Sequence, residues 1–172
     1  MLRKVTALGR SSRLNLPPIY SPIFGGATLW YERWYFLLRL EEEVARALRH
    51  NIALSVVVFR LEDDTSEAAI GLEESLRTIA LKKLRKSDLP AVLEDRELGL
   101  CLTHTSPEHA DVVVNRVMRT LKPFRAWSGV SSLPADGSDS ETLFLLARHR
   151  AMTGAAQAGF GVGPISALRP MK

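Results

Sequence analysis

Apolar residues recur along this chain in alternating helical and strand patterns. In residues 29–51 they are spaced three or four positions apart, which predicts an amphipathic helix ending at Asn51, a residue type that tolerates the left-handed conformation. Residues 53–59 are rich in valine and apolar at both odd and even positions, so a strand here would have two apolar faces. This predicts a central strand covered on both faces. Apolar spacing predicts a second helix over residues 66–85.

The second half of the chain continues this alternation. Residues 91–103 contain two short apolar runs separated by four charged residues, which predicts a β-hairpin. Ser106, followed by proline and glutamate, predicts a helix start, and residues 124–132 predict a further strand. A capping-box pattern that begins at Ser138 predicts a last helix reaching about Thr153. The order of elements predicts an α/β fold with helices packed on one sheet.

Composition divides the chain into three parts. Residues 1–24 hold three prolines among serine and arginine without any period, which predicts an N-terminal arm or linker. Residues 25–160 carry the periodic pattern and form the predicted domain. The glycines from Gly154 onward predict irregular structure, and residues 161–172 are predicted to be a C-terminal tail.

Charge and cysteine content exclude several classes of function. The net charge of +4 is spread over separate basic clusters, which tolerates anionic ligands but does not indicate nucleic acid. The longest apolar stretch, residues 52–59, is far shorter than the roughly 20 residues of a membrane helix, so no membrane contact is expected. The single Cys101 fits a reducing cytoplasm, and the scattered histidines indicate no metal site.

One stretch carries a two-part motif. Arg85 and Asp88 form Arg-x-x-Asp, and after five further residues the predicted hairpin turn reads Glu-Asp-Arg-Glu-Leu over residues 94–98. This stretch resembles the GGDEF domains of diguanylate cyclases, in which Arg-x-x-Asp lies five residues before a Gly-Gly-Asp/Glu-Glu-Phe turn. The resemblance covers residues 26–159, and includes Arg-x-x-Phe at residues 33–36 and a Ser-Gly-Val strand at residues 128–130.

The resemblance implies a fold in more detail than periodicity does. A GGDEF or nucleotidyl-cyclase-like domain has a central, mostly antiparallel sheet with a ferredoxin-like βαββαβ core, flanked by helices. It also implies that the metal ligands of the cyclases have been replaced. The first acid of an Asp-x-Asp corresponds to Arg60, within Arg60-Leu61-Glu62, and the second ligand corresponds to Arg96. Guanidinium groups would repel the Mg²⁺ that carboxylates bind.

Other positions of the implied active site are also replaced. The two signature glycines correspond to Glu94 and Asp95, and only Glu97 is kept in the fourth position. The lysine that contacts the triphosphate corresponds to Ala156, and the Asn-Asp segment that recognises guanine is not recognisable near residues 63–65. We therefore expect no catalytic residue, no bound metal and no cyclase activity.

The resemblance implies a ligand site that remains. In many active cyclases Arg-x-x-Asp is an inhibitory site that binds the product, cyclic di-GMP, away from the catalytic hairpin. The planar fork of arginine matches guanine O6 and N7, and aspartate accepts from guanine N–H groups. Counting without gaps places Arg116 at the position of a second family arginine. We expect a cyclic di-GMP effector that uses Arg85, Asp88 and Arg116 without any cofactor, and a symmetric dinucleotide would bridge two copies.

Simpler interpretations stay open. In these interpretations, the basic residues at the helix end follow from the helix dipole, Asp88 only starts the turn into the hairpin, and Arg116 is a solvated surface residue. The chain is then a protein-interaction or dimerisation module without a nucleotide site. A dense aromatic group at residues 30–36 fits this alternative. The helical period places Trp30, Trp34 and Leu37 in the core and leaves the other aromatic residues, Tyr31, Tyr35 and Phe36, for a partner or a second copy.

Overall fold

A five-stranded sheet with two helices on each face forms the centre of the protein in a computed structural model. The structure describes residues 29–62, 66–94, 96–122 and 124–158. The strands are β1 (Tyr31–Glu32), β2 (Leu54–Leu61), β3 (Leu89–Glu94), β4 (Glu97–Thr103) and β5 (Ala126–Leu133). The helices are α1 (Arg33–His50), α2 (Ser66–Lys82), α3 (Pro107–Thr120) and α4 (Ser140–Ala158).

The sheet has the strand order β1-β3-β4-β2-β5. The short β1 pairs with β3 in parallel, and all other neighbours are antiparallel. This arrangement confirms the predicted α/β fold with a mostly antiparallel sheet between helices. Among the described residues, no helix combines the length and the apolar character needed to cross a membrane.

The two faces of β2 explain why its sequence is apolar on both parities. Val56 and Val58 belong to the core shared with α1 and α4, whereas Val57 and Phe59 belong to the core shared with α2 and α3. All four side chains are fully buried. Burial on both faces removes the polar positions that a half-exposed strand would show, so the prediction of a central strand is confirmed.

The chain enters the domain differently from the prediction. Helix α1 begins at Arg33 rather than at residue 29, because residues 31–32 pair with β3 as β1. Trp30 precedes this strand and is buried on the sheet face that carries α2 and α3, opposite α1. Its indole N–H donates to the carbonyl of Leu76 at 2.8 Å. The prediction that Trp34 is a core residue was wrong, since 55% of it is exposed and Phe36 fills the core instead.

Local sequence signals predicted some of the helix ends correctly and others incorrectly. Asn51 ends α1 in the left-handed conformation, with φ 52° and ψ 49°, as predicted. Ser106 occupies the predicted N-cap position of α3, but its hydroxyl contacts His109 Nδ1 instead of a backbone N–H. The predicted capping box at Ser138 was wrong, because α4 begins at Ser140 and Asp139 accepts a hydrogen bond from its first turn.

Helix α4 also runs further than predicted. It continues through residues 154–158, which the glycine content had predicted to be irregular. Helix α4 lies directly on β5 at Gly129, where an added Cβ would stand 2.1 Å from the carbonyl oxygen of Ala147 and 2.4 Å from the amide nitrogen of Ala151. Residues 147–151 of α4 are therefore closely packed on the sheet, and Gly154, the first residue of the extension, is buried. The predicted arm at residues 1–24 and tail at residues 161–172 lie outside the described residues.

Candidate functional site

The hairpin formed by β3 and β4 carries the predicted site residues at its two ends. Arg85 and Asp88 immediately precede β3, and Glu94, Arg96 and Glu97 lie at the turn between the strands. A strand of this length spans roughly 20 Å at the usual rise per residue. The two predicted sites are therefore separate surfaces. A substitution at one end of the hairpin does not contact the residues at the other end.

Asp88 closes the turn that leads into β3. Its backbone N–H donates to the carbonyl of Arg85 at 3.1 Å, and its Oδ2 accepts from the backbone N–H of Arg85 at 2.8 Å. Asp88 is 6% exposed, and its buried Oδ1 has no hydrogen-bond partner among the described residues. One oxygen thus stabilises the turn while the other keeps its capacity to accept a hydrogen bond.

Two arginines act electrostatically on Asp88. Burial raises the pKa of Asp88, whereas the Arg85 backbone hydrogen bond and the charges of Arg85 and Arg116 oppose that rise. Burial is the largest of these effects, so the pKa lies above its usual value. Both arginine residues are exposed. Arg85 thus contacts Asp88 directly through its backbone, whereas Arg116, on α3, acts on Asp88 only through its charge.

Four positions of the predicted degenerate active site lie at the other end of the hairpin. Arg60 on β2 lies opposite Glu97 on β4. Arg96 occupies the turn with a positive φ of 62°, and its guanidinium donates to the carbonyl of Glu62 at 3.1 Å. Glu62 Oε2 in turn forms an ion pair with Arg125 Nη1 at 3.0 Å. This end of the sheet therefore holds interleaved arginine and glutamate side chains instead of a carboxylate cluster.

Glu94 and Glu97 are held by arginines from both helices on one face. Glu94 Oε1 lies 2.6 Å from Arg33 Nη1, and Glu94 Oε2 lies 2.7 Å from Arg148 Nη2. Glu97 Oε1 lies 2.8 Å from Arg148 Nε, and the Glu97 side chain is 1% exposed. Arg148 was not predicted as a site residue, because a contact across 51 positions leaves no mark in local spacing.

The residues at the hairpin turn do not fit a divalent cation. Both oxygens of Glu94 and one oxygen of Glu97 already contact guanidinium groups, and Arg60 and Arg96 add further positive charge nearby. Mg²⁺ requires carboxylate or water oxygens in nearly octahedral geometry. In the described part of the chain, no group of three acidic, histidine or cysteine side chains is placed to hold a metal ion.

Three predicted features of the implied active site lie beyond what the structure describes. Asp95 and residues 63–65 are outside the described residues, and only the helical backbone is described at Ala156.

The aromatic group has one exposed member. The Tyr31 and Tyr35 rings lie 4.8 Å apart and are partly buried, and the Trp34 ring lies 5.7 Å from that of Tyr35. Trp34 is the exposed ring, and Leu38 one turn later is 48% exposed. The predicted division was thus wrong in detail, since Trp34 is the outward residue of this group and Phe36, predicted to face outward, is fully buried.

Comparison with solved structures identifies the fold. No protein family and no curated protein matches the sequence. A sensory box/GGDEF family protein from Caulobacter crescentus superposes with a TM-score of 0.66 at 19% identity, over 75% of this chain and 95% of that one. The GGDEF domain of DgcB from the same organism, in complex with c-di-GMP, gives 0.64 at 12% identity, over 81% and 91%. Diguanylate cyclase SiaD from Pseudomonas aeruginosa, in complex with its activator SiaC, gives 0.67 at 22% identity, over 77% and 57%.

Proposed function

We propose that this chain, which has the fold of GGDEF domains, binds cyclic di-GMP and does not synthesise it. The ligand site is formed by Arg85, Asp88 and Arg116. The observation that carries the proposal is a buried carboxylate oxygen of Asp88 with no partner among the described residues, close enough to two exposed arginines for their charges to affect its pKa. A buried acceptor without a partner is costly, and a ligand that donates to it removes that cost.

The chemistry of the site suits a guanine nucleotide. Guanine presents two acceptors, O6 and N7, that match an arginine fork, and its N1–H and amino groups donate to a carboxylate. The two arginine charges also favour the phosphates of a cyclic dinucleotide. The GGDEF domain of DgcB has been solved with c-di-GMP bound, which is consistent with this fold presenting such a site. Because Asp88 is 6% exposed, neighbouring side chains must reposition when guanine reaches it.

We expect cyclic di-GMP to bind the wild-type protein in the micromolar range, and Arg85→Ala to weaken this binding by about tenfold or more. Loss of one bidentate guanine contact costs roughly 1–3 kcal/mol. Isothermal titration measures both affinities. Arg119→Ala is the matched control. Arg119 is an exposed arginine on α3 that is not part of the proposed site, so its removal should leave binding unchanged. Absence of heat and saturation at high micromolar ligand in the wild type would refute the proposal.

Asp88→Asn separates the ligand role of Asp88 from its turn role. The folded-state pKa of Asp88 is raised, so the carboxyl favours folding below its unfolded value of 3.8, and this contribution is lost as pH rises through the folded pKa. At neutral pH the charge therefore opposes folding, and asparagine still accepts the Arg85 N–H. We expect unchanged or higher thermal stability at pH 7 together with weakened cyclic di-GMP binding. Unchanged binding would assign Asp88 to the turn alone.

The proposed absence of catalysis follows from the charges at the hairpin turn. Glu94 and Glu97 are engaged by Arg33 and Arg148, and Arg60 lies opposite Glu97. We expect purified protein incubated with GTP and Mg²⁺ or Mn²⁺ to yield no cyclic di-GMP above a control without protein, as measured by mass spectrometry. Product formation above that control would show that another metal arrangement supports turnover.

A protein-interaction module is the second candidate function. The exposed Trp34 and Leu38 on α1 favour it, since large apolar side chains at neighbouring surface positions suit a protein contact. The cyclase SiaD has been solved with its activator SiaC, so a chain of this fold can carry a protein partner. A protein that fails to bind cyclic di-GMP would shift attention to this surface.

A further inference from the structure

We propose that the exposed face of α1 binds an amphipathic helix of another protein, and that this partner helix carries a lysine or arginine at the centre of its apolar stripe. Such a partner would give a specific form to the second candidate function, a protein-interaction module, on which the proposal rests. Binding of cyclic di-GMP is not required for it.

Helix α1 is apolar on two faces. The inner face carries four residues of the core: Phe36, Leu40, Val44 and Ala47. The outer face carries Trp34, Leu38 and Leu48, which are 55%, 48% and 49% exposed. A helix that packs only on its own domain has a polar outer face, so three large apolar side chains on the outer face of one helix indicate a second packing partner.

The spacing of the exposed residues identifies the kind of partner. We define the outer stripe as five exposed residues: Trp34, Leu38, Glu41, Ala45 and Leu48. They follow one another at steps of four, three, four and three. Alternating steps of four and three correspond to the a and d positions of a heptad, along which one helix packs beside another. The stripe covers residues 34–48, about four helical turns, which suits a partner helix of similar length.

Glu41 interrupts the outer stripe with a negative charge. It stands at the centre, seven residues from both Trp34 and Leu48. Residues three and four positions away on a helix are close enough to form ion pairs. For Glu41 these positions hold only apolar residues: Leu37, Leu38, Val44 and Ala45. The helix itself therefore supplies no counter-charge to Glu41 at these positions.

The arginines that flank Glu41 along α1 contact other carboxylates. Arg39 lies 2.9 Å from both Glu42 and Glu43, and Arg46 lies 2.7 Å from Glu43. Enclosing the Glu41 carboxylate between two helices without a cation is costly. The partner helix therefore has to supply a lysine or arginine opposite Glu41, in the way that a polar core position of a coiled coil selects its partner.

A second copy of this chain does not fit the outer stripe. Because Glu41 is central, it would face Glu41 of the second copy both in a parallel pair in register and in an antiparallel pair centred on the stripe. Like charges opposed within an apolar seam disfavour pairing. The charge of Glu41 thus selects a different protein, and we expect no self-association through this face.

The test uses two designed helical peptides with leucine at the a and d positions and either lysine or glutamate at the central one. The central peptide residue faces Glu41 in both helix orientations. We expect the wild-type protein to bind the lysine peptide at least about tenfold more tightly than the glutamate peptide, and Glu41→Lys to reverse this preference. Fluorescence anisotropy of labelled peptides measures all four affinities.

Leu38→Glu should weaken binding of the lysine peptide by about tenfold or more, because it places a charge in the apolar seam. Leu81→Glu is the matched control, since Leu81 is 58% exposed but lies on α2, and it should leave binding unchanged. All three substitutions replace exposed side chains, so circular dichroism should show a folded protein in each case.

Three results would overturn the proposal: no binding of the lysine peptide, equal affinity for both peptides, or unchanged binding by Leu38→Glu. Wild-type self-association that Leu38→Glu abolishes would also overturn it, because a second copy would then occupy this face. The assay contains no cyclic di-GMP. A chain that fails to bind the dinucleotide can therefore still bind the lysine peptide, and the two proposals fail separately.

Discussion

Arg148→Met should lower the free energy of unfolding by about 3 kcal/mol, because it leaves a buried carboxylate without its counter-charge. The partner is Glu97, whose side chain is 1% exposed, while Arg148 itself is 25% exposed. Methionine retains much of the aliphatic length of arginine, so packing against the hairpin changes less than charge does. Urea denaturation followed by circular dichroism measures the change.

A double-mutant cycle isolates the interaction between the two side chains. Glu97→Gln combined with Arg148→Met should recover part of the loss, because the buried charge is then absent. Arg125→Met provides a control, since Arg125 pairs with Glu62 but is 71% exposed, and surface pairs contribute roughly 0–1 kcal/mol. Equal effects of Arg148→Met and Arg125→Met would mean that the network at the hairpin is only a surface ion pair.

Gly129→Ala should destabilise the protein by at least about 3 kcal/mol, at the upper end of the range for overpacked cores, or prevent folding. The added Cβ would stand 2.1 Å from the carbonyl oxygen of Ala147 and 2.4 Å from the amide nitrogen of Ala151. Both contacts are with backbone, so no side-chain rotation relieves them and α4 has to move away from β5. Thermal and urea denaturation measure the effect.

A second glycine gives the matched control. Gly71 lies in α2, and the nearest atom to an added Cβ is Phe124 Cζ at 3.6 Å, an ordinary contact. Gly71→Ala should stabilise the protein by roughly 0.5–1 kcal/mol, because alanine loses less backbone entropy in a helix than glycine. A Gly129→Ala protein as stable as the wild type would show that α4 is not closely packed on β5.

Helix α4 therefore connects its packing on β5 with the ion pairs at the hairpin turn. Gly129 lets α4 approach the sheet closely, and α4 then brings Arg148 to Glu94 and Glu97. At the opposite end of the hairpin, Arg85 and Arg116 remain exposed. This contrast is consistent with our proposal, in which the turn end is closed by ion pairs and the Arg-x-x-Asp end receives the ligand.

Much of the fold was determined by the sequence alone. The apolar character of residues 53–59 on both parities identified the central strand, because a strand buried on both faces has no polar side. The hairpin followed from two short apolar runs around a charged turn, and the order of helices and strands followed from periodicity. Arg85 and Asp88 were grouped correctly because residues three positions apart meet within one turn.

Only the tertiary structure decided which distant side chains meet. Trp30 and Trp34 are the same residue type four positions apart and were both predicted to lie in the core. Trp30 is fully buried but Trp34 is 55% exposed, because the pairing of β1 with β3 moves the start of α1 to Arg33. Arg148 contacts Glu97 across 51 positions because α4 crosses the sheet over β5. Local spacing records the period of an element, whereas the partners of its side chains depend on where packing places that element.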